Sequence, residues 1–146
     1  MTPPRPVLNV IWLLHQTVRR VSGGRLGTSR AQGDGLGTLF LHTVGRKSGQ
    51  ARTNGLFYID DGADLVVVAS NAGADTDPAW WLNLRAEPEA DVEIAGERRT
   101  VRARPATAEE TDRLWPRLVS ANPDYATYRE KASRPIPVVI LEDARA

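Results

Sequence analysis

The chain has 146 residues, 41% hydrophobic and 25% charged, which reads as one soluble globular domain long enough to bury a real core. No cysteine and only two histidines, His15 and His42, exclude a disulfide framework and thiol catalysis, and no cluster offers metal ligands at workable spacing. The formal net charge of +1 divides into +7 over residues 1–52 and −6 over residues 53–146; this points to an anionic ligand or an acidic membrane surface and, without a basic motif interleaved with aromatics, away from nucleic acid.

Val7–Val21 reads as an amphipathic helix, with Val7, Val10, Ile11, Leu14 and Val18 on one face and Arg19 and Arg20 at its C-terminal end. Its uncharged run, Pro6–Val18, is too short to span a bilayer. The helix reads either as one packed on the domain or as peripheral membrane contact through residues 7–21. Ser22–Gly37 carries six glycines and reads as a flexible connection or an extended segment lying over the surface. Residues 1–35 thus form an N-terminal helix and glycine-rich connection, and residues 36–146 a compact domain.

Leu36–Val44 and Thr53–Ile59 read as strands, joined through Gly45-Arg46-Lys47-Ser48-Gly49 and Arg52. Three cations, two glycines and a hydroxyl on a tight turn suit an oxyanion such as a phosphate. The same residues also make an ordinary solvated hairpin turn, and the Walker A spacing is absent. Asp60-Asp61-Gly62 signals a hairpin into Asp64–Ser70, where Val66, Val67 and Val68 in a row predict burial on both faces. Asp77 is expected to cap a helix with Pro78 in its first turn, and that helix runs Ala79–Arg85. Strands at Asp91–Ala95 and Arg99–Pro105 follow, then a helix opened by a Thr107/Glu110 capping box. Asn122-Pro123 opens a short helix with Tyr125 and Tyr128 on one face, and Pro135–Leu141 is the last strand. Hairpins dominate and no βαβ repeat occurs, so the fold class is α+β with a mostly antiparallel, barrel-like sheet.

Five segments, in order, carry a family resemblance: Leu41–Gly49, Arg52-Thr53, Leu65–Ser70, Asp77–Leu84 and Asn122–Tyr128 leading into Arg134–Val139. Together they resemble the deazaflavin-dependent nitroreductase family, split β-barrel oxidoreductases, akin to flavin reductases and pyridoxamine oxidases, that use coenzyme F420. The resemblance implies that Arg46, Lys47 and Ser48 bind the coenzyme's phosphate and acidic tail. It places Arg52, Thr53, Asn54, Gly55, Leu56 and Phe57 beside the cofactor, and Val68, Ala69, Ser70 and Asn71 at the ring edge. Ala79, Trp80, Trp81, Leu82 and Asn83 would bring a helix N-terminus to it. Tyr125, with Tyr128 and Ser70, would line the acceptor pocket and stabilise charge or pass a proton.

Several of these residues have a structural reading beside the functional one. At least one of Trp80 and Trp81 is expected in the core, and His42 is expected to be a satisfied structural histidine. Departures from the family pattern at Asn54-Gly55, Phe57, Asn71, Ala72 and Asn122 imply a kept cofactor site and an altered substrate wall. The implied activity is hydride transfer from reduced F420 to an electron-poor apolar acceptor, a quinone, enone or nitroaromatic. Flavin mononucleotide is the alternative cofactor, since the basic turn would serve its phosphate equally well. A non-catalytic deazaflavin-binding module is the other alternative. The implied setting is a monomer or homodimer in the cytoplasm or at the inner face of the cell membrane.

Overall fold

The computed structural model describes residues 28–144; the helix expected over residues 7–21 lies outside them. The described elements are β1 Gly37–Val44, β2 Ala51–Asp61, β3 Asp64–Val68, α1 Ala79–Ala86, β4 Glu89–Ile94, β5 Glu97–Pro105, α2 Ala108–Ala121, α3 Asp124–Lys131 and β6 Val138–Asp143. The strands form a closed barrel in the order β1-β2-β3-β6-β5-β4. Every neighbouring pair is antiparallel, as the hairpin-rich sequence predicts.

Two apolar layers follow from the strand period of two. Leu39, Leu41, Tyr58, Leu65, Val67, Val92, Val101, Val139 and Leu141 fill the barrel, and α1 adds Trp80, Trp81 and Leu84. The alternate residues Ile59, Val66, Val68, Val138 and Ile140 form a second layer with Leu114 and Leu118 of α2 and Tyr125 of α3. The run Val66–Val68 is therefore buried on both faces, inside the barrel and under the helices.

Several boundaries differ from the sequence reading for local reasons. The last strand begins at Val138 rather than Pro135, because Pro135 and Pro137 have no N–H to give a ladder. β3 ends at Val68, since Ser70 turns into the right-handed helical region. Asp77 is not the cap of α1; Pro78 occupies that position, and the Asp77 carboxylate is taken by Arg134 at 2.8 Å.

The described end of the glycine-rich segment lies extended on the barrel. Ser29 bridges Thr38, the Ala31 N–H donates to Tyr58 Oη at 2.9 Å, and Arg30 pairs with Glu97. Gly37 permits this close approach. A Cβ there would collide with the Tyr58 ring and with the backbone of Ser29 and Ala31.

The capping box of α2 is formed in both directions, Glu110 N–H to Thr107 Oγ1 at 3.1 Å and Thr107 N–H to Glu110 Oε1 at 2.9 Å. Glu110 also takes both arms of the Arg104 guanidinium, at 2.7 and 2.8 Å. The Arg104 hydrogen bond is the main cause that lowers the Glu110 carboxyl to about 2. A depressed carboxyl stabilises the fold above its unfolded value, near 4.3, and loses that contribution as the pH falls through its folded value. Glu110→Gln is expected to destabilise the protein by about 1–2 kcal/mol at pH 7. The difference should vanish as denaturant midpoints are followed down toward pH 2; a constant difference would contradict the charge's role.

Candidate active site

The basic turn joins β1 to β2 and is stiff. Gly45 N–H donates to the Gln50 carbonyl and Gly49 N–H to the Gly45 carbonyl, both at 2.8 Å. Ser48 Oγ accepts from Gln50 N–H at 3.2 Å and from Arg52 Nη2 at 3.3 Å. Asn83 of α1, only 4% exposed, brackets the turn from beneath. Its Oδ1 accepts from the Arg46 N–H at 3.1 Å and from Arg46 Nη1 at 3.0 Å, and its Nδ2 reaches Thr43 Oγ1 at 3.5 Å. The α1 helix therefore sets where Arg46 stands.

Charge pairing sets this turn apart from most of the described arginines, although Arg129 too rests on a neutral partner, the Trp115 ring. Arg30, Arg98, Arg99, Arg102, Arg104, Arg113, Arg117 and Arg134 each have a carboxylate partner. Arg46 and Arg52 bond only to neutral Asn83, Ser48 and Gln50, and among the described residues Lys47 has no ion pair. Three neighbouring cations without acids suit a multiply charged anion.

Beside the turn the barrel wall parts. β2 and β3 pair only at Ile59↔Val66, Asp60↔Leu65 and Asp61↔Asp64, whereas β1 and β2 pair continuously from Gly37↔Tyr58 to Val44↔Ala51. Continued in register, Phe57 would face Val68 and Gly55 would face Ser70. Instead β3 follows β6 through Val68↔Val138, and Ala69 N–H continues to the Pro137 carbonyl at 3.0 Å. Residues 52–58 thus have β1 on one side and, among the described residues, no ladder partner on the other. Such an open seam leaves backbone groups for water or a polar ligand to satisfy. The two segments expected beside a cofactor, Arg52–Phe57 and Val68–Asn71, form the two lips of this seam. Phe57, on one lip, is 51% exposed and lies outside the core.

Beyond Val68 the chain enters a short loop. Asn71, Ala72 and Gly73 take left-handed φ values of 47°, 54° and 80°. Arg134 reaches into it, Nη2 donating to the Ser70 carbonyl at 3.0 Å and Nε to the Ala74 carbonyl at 3.0 Å. Gly73 packs on α3, where a Cβ would come within 3.3 Å of the Tyr128 backbone. Tyr125 is 5% exposed and meets Tyr128 edge-on at 6.5 Å. Burial pushes the Tyr125 phenol up, against a smaller pull from the Asn122 side chain, so it stays neutral and able to donate. On α1, Trp80 and Trp81 are both buried, at 6% and 5% exposure, which places both in the barrel core. Ala79 is exposed and Leu82 half-buried.

His42 backs the seam from β1, paired with Thr53. Its Nε2 lies 2.7 Å from Glu93 Oε1 and its Nδ1 2.8 Å from the Thr53 hydroxyl, both within hydrogen-bond reach. It is satisfied at both nitrogens, as expected of a structural histidine. A cavity of about 240 Å³ opens at the opposite barrel mouth, lined by Arg30, Tyr58, Asp60, Leu65, Glu97 and Arg99 among others. Its cations lie against acids, Arg99 only loosely at 3.9 Å from Asp143, and the Arg99 Nε is buried without a hydrogen-bond partner.

Arg134 and Asp77 had no local sequence signal as a pair. They stand 57 residues apart, and the Asp-Pro dipeptide suits a helix cap equally well. The bracket from Asn83 to Arg46 likewise has no local signal, the two residues lying 37 apart.

The chain is similar to known proteins. The sequence model of the F420H(2)-dependent quinone reductase family matches residues 12–143. An F420H(2)-dependent quinone reductase of Mycobacterium tuberculosis is 38% identical over 131 residues, 88% of this chain and 87% of that protein. A solved F420-H2 dependent reductase superposes with a TM-score of 0.66 at 33% identity, over 72% of this chain and 93% of its own. A second solved structure, described as a domain-swapped dimer, gives 0.69 at 30% identity over 92% and 99%. The chain therefore belongs to the F420H(2)-dependent quinone reductase family, oxidoreductases whose coenzyme is F420.

Proposed function

We propose that the β2–β3 seam seats coenzyme F420 with its acidic tail on Arg46, Lys47 and Arg52, and that the protein reduces a quinone. The observation that carries this reading is the cluster of three cations without acids at one end of an open seam. When bound, the coenzyme supplies a hydride; the chain's own residues do the rest. The turn binds the tail through charge-assisted bonds. Backbone groups of residues 52–57 and 68–71 would hold the ring. As negative charge develops on the acceptor, the neutral Tyr125 phenol, with Tyr128 and the Ser70 hydroxyl beside the seam, stabilises it and delivers a proton. Enones and nitroaromatics share the electron-poor character of a quinone and are the further acceptors.

The solved relative described as a domain-swapped dimer supports a homodimer here. No described helix is long and apolar enough to cross a membrane. Contact of residues 7–21 with a membrane surface, suited to a lipid-soluble quinone, belongs to the proposal.

The test is stopped-flow oxidation of reduced F420 by menadione, with Tyr125→Phe beside the native protein. The variant is expected to slow turnover by about 10- to 100-fold while changing coenzyme affinity by less than about threefold. Equal turnover in the two proteins would remove Tyr125 from the mechanism, and no oxidation above the uncatalysed rate would remove the quinone reading.

A further inference from the structure

We propose that Arg134 is a positioning residue of the coenzyme site, holding the Ser70–Ala74 loop in the strained shape that presents Ser70 at the β2–β3 seam. This rests on the seam being the coenzyme site.

Two independent observations converge on that loop. The first is its backbone. Ser70 is right-handed at φ −78° and ψ −31°, and Asn71, Ala72 and Gly73 then turn left-handed in succession. Glycine adopts that region freely and asparagine tolerates it, but alanine gains nothing there. Such backbone persists only where its surroundings hold it, and it concentrates at functional sites.

The second is the device that holds it. Arg134 spans the left-handed run from both sides. Its Nη2 donates to the Ala69 carbonyl at 3.3 Å and the Ser70 carbonyl at 3.0 Å, before the run. Its Nε donates to the Ala74 carbonyl at 3.0 Å, after it. Nη1 is anchored on Asp77 Oδ1 at 2.8 Å, and the Arg134 side chain is only 13% exposed. One planar fork thus ties both loop ends to the start of α1. Lysine, a single point donor, cannot make all of these bonds at once. Lesser restraints agree: Ser133 Oγ donates to Asp75 Oδ1 at 2.7 Å, and Asn71 Nδ2 donates to the Thr76 carbonyl at 3.0 Å.

The two ends of the site therefore have separate supports. Asn83 places the cationic turn, and Arg134 places the opposite lip of the seam. Loss of Arg134 should disturb ring placement far more than tail binding.

The test compares native protein, Arg134→Gln and Arg134→Lys by three readouts: hydrogen exchange of residues 69–77 without coenzyme, F420 affinity, and the single-turnover rate of hydride transfer to menadione. Arg134→Gln is expected to raise exchange in the loop by about 10-fold or more, with the barrel strands unchanged. Its F420 dissociation constant should rise by less than about threefold while the transfer rate falls by at least about 10-fold. Arg134→Lys should recover only part of both losses. Asp77→Asn, which frees the guanidinium from its anchor, gives the same pattern more weakly and serves if Arg134→Gln does not fold. Unchanged loop exchange, or a loosened loop with an unchanged transfer rate, overturns the proposal. If native protein binds no F420, the functional reading fails, and the exchange result still decides whether Arg134 holds the loop.

Discussion

Replacing Arg46 and Lys47 together by alanine is expected to weaken F420 binding by about 2–5 kcal/mol, roughly 30-fold or more. Each alone should cost about 1–3 kcal/mol, and neighbouring charges on one ligand do not add fully. The expectation comes from what surrounds them. Elsewhere on the barrel the described arginines are largely neutralised: Arg113 and Arg117 share Asp61, and Arg104 holds both Glu110 and Glu142. At the turn Arg46 and Arg52 face neutral partners instead. Those side chains are exposed, and the Arg46 N–H keeps its bond to Asn83 Oδ1 at 3.1 Å whatever side chain it carries. Fold stability should therefore change by less than about 0.5 kcal/mol. Raising the salt should shrink the affinity difference, because screening weakens exposed charge pairs. A double variant that binds F420 as the native protein does would eliminate the turn as the tail site.

Trp81→Ala is expected to destabilise the protein by about 3–5 kcal/mol in a denaturant titration. Trp81 is 5% exposed and packs in the barrel cluster with Leu84, Val92 and Leu141. Removing it opens a cavity that the closed strand ring cannot collapse to fill. Against a typical total of about 5–15 kcal/mol, the loss brings the variant near its threshold. The same substitution separates a core role from direct ring contact. A core residue moves the unfolding midpoint in the absence of coenzyme, whereas a ring contact moves coenzyme affinity and leaves that midpoint in place. The geometry predicts the first for both Trp80 and Trp81.

Local chemistry was legible in the sequence, and long-range pairing was not. The capping box of α2 could be read because Thr107 and Glu110 lie three residues apart and satisfy each other. Burial of Val66–Val68 on both faces could be read because β-branched residues follow without a polar break. The turn from Gly45 to Gly49 could be read as an anion site, but its lack of acid partners depends on the whole barrel surface. The seam could not be read at all. It exists because β3 keeps β6 through Val68 and releases β2 after Ile59↔Val66, a competition between strands far apart in sequence. Asp77 shows the same limit. Its local signal was a helix cap, and a buried arginine 57 residues later claimed the carboxylate instead. The family resemblance supplied the ring-edge and tail assignments, and the parted seam gives those two segments a physical reason to face each other.

The most direct measurement is an equilibrium titration of the purified protein with F420, followed by quenching of coenzyme fluorescence, with flavin mononucleotide run in parallel. The account predicts saturable binding of F420 at micromolar concentration or tighter and no comparable binding of flavin mononucleotide. Binding of flavin mononucleotide alone, or of neither, would contradict it.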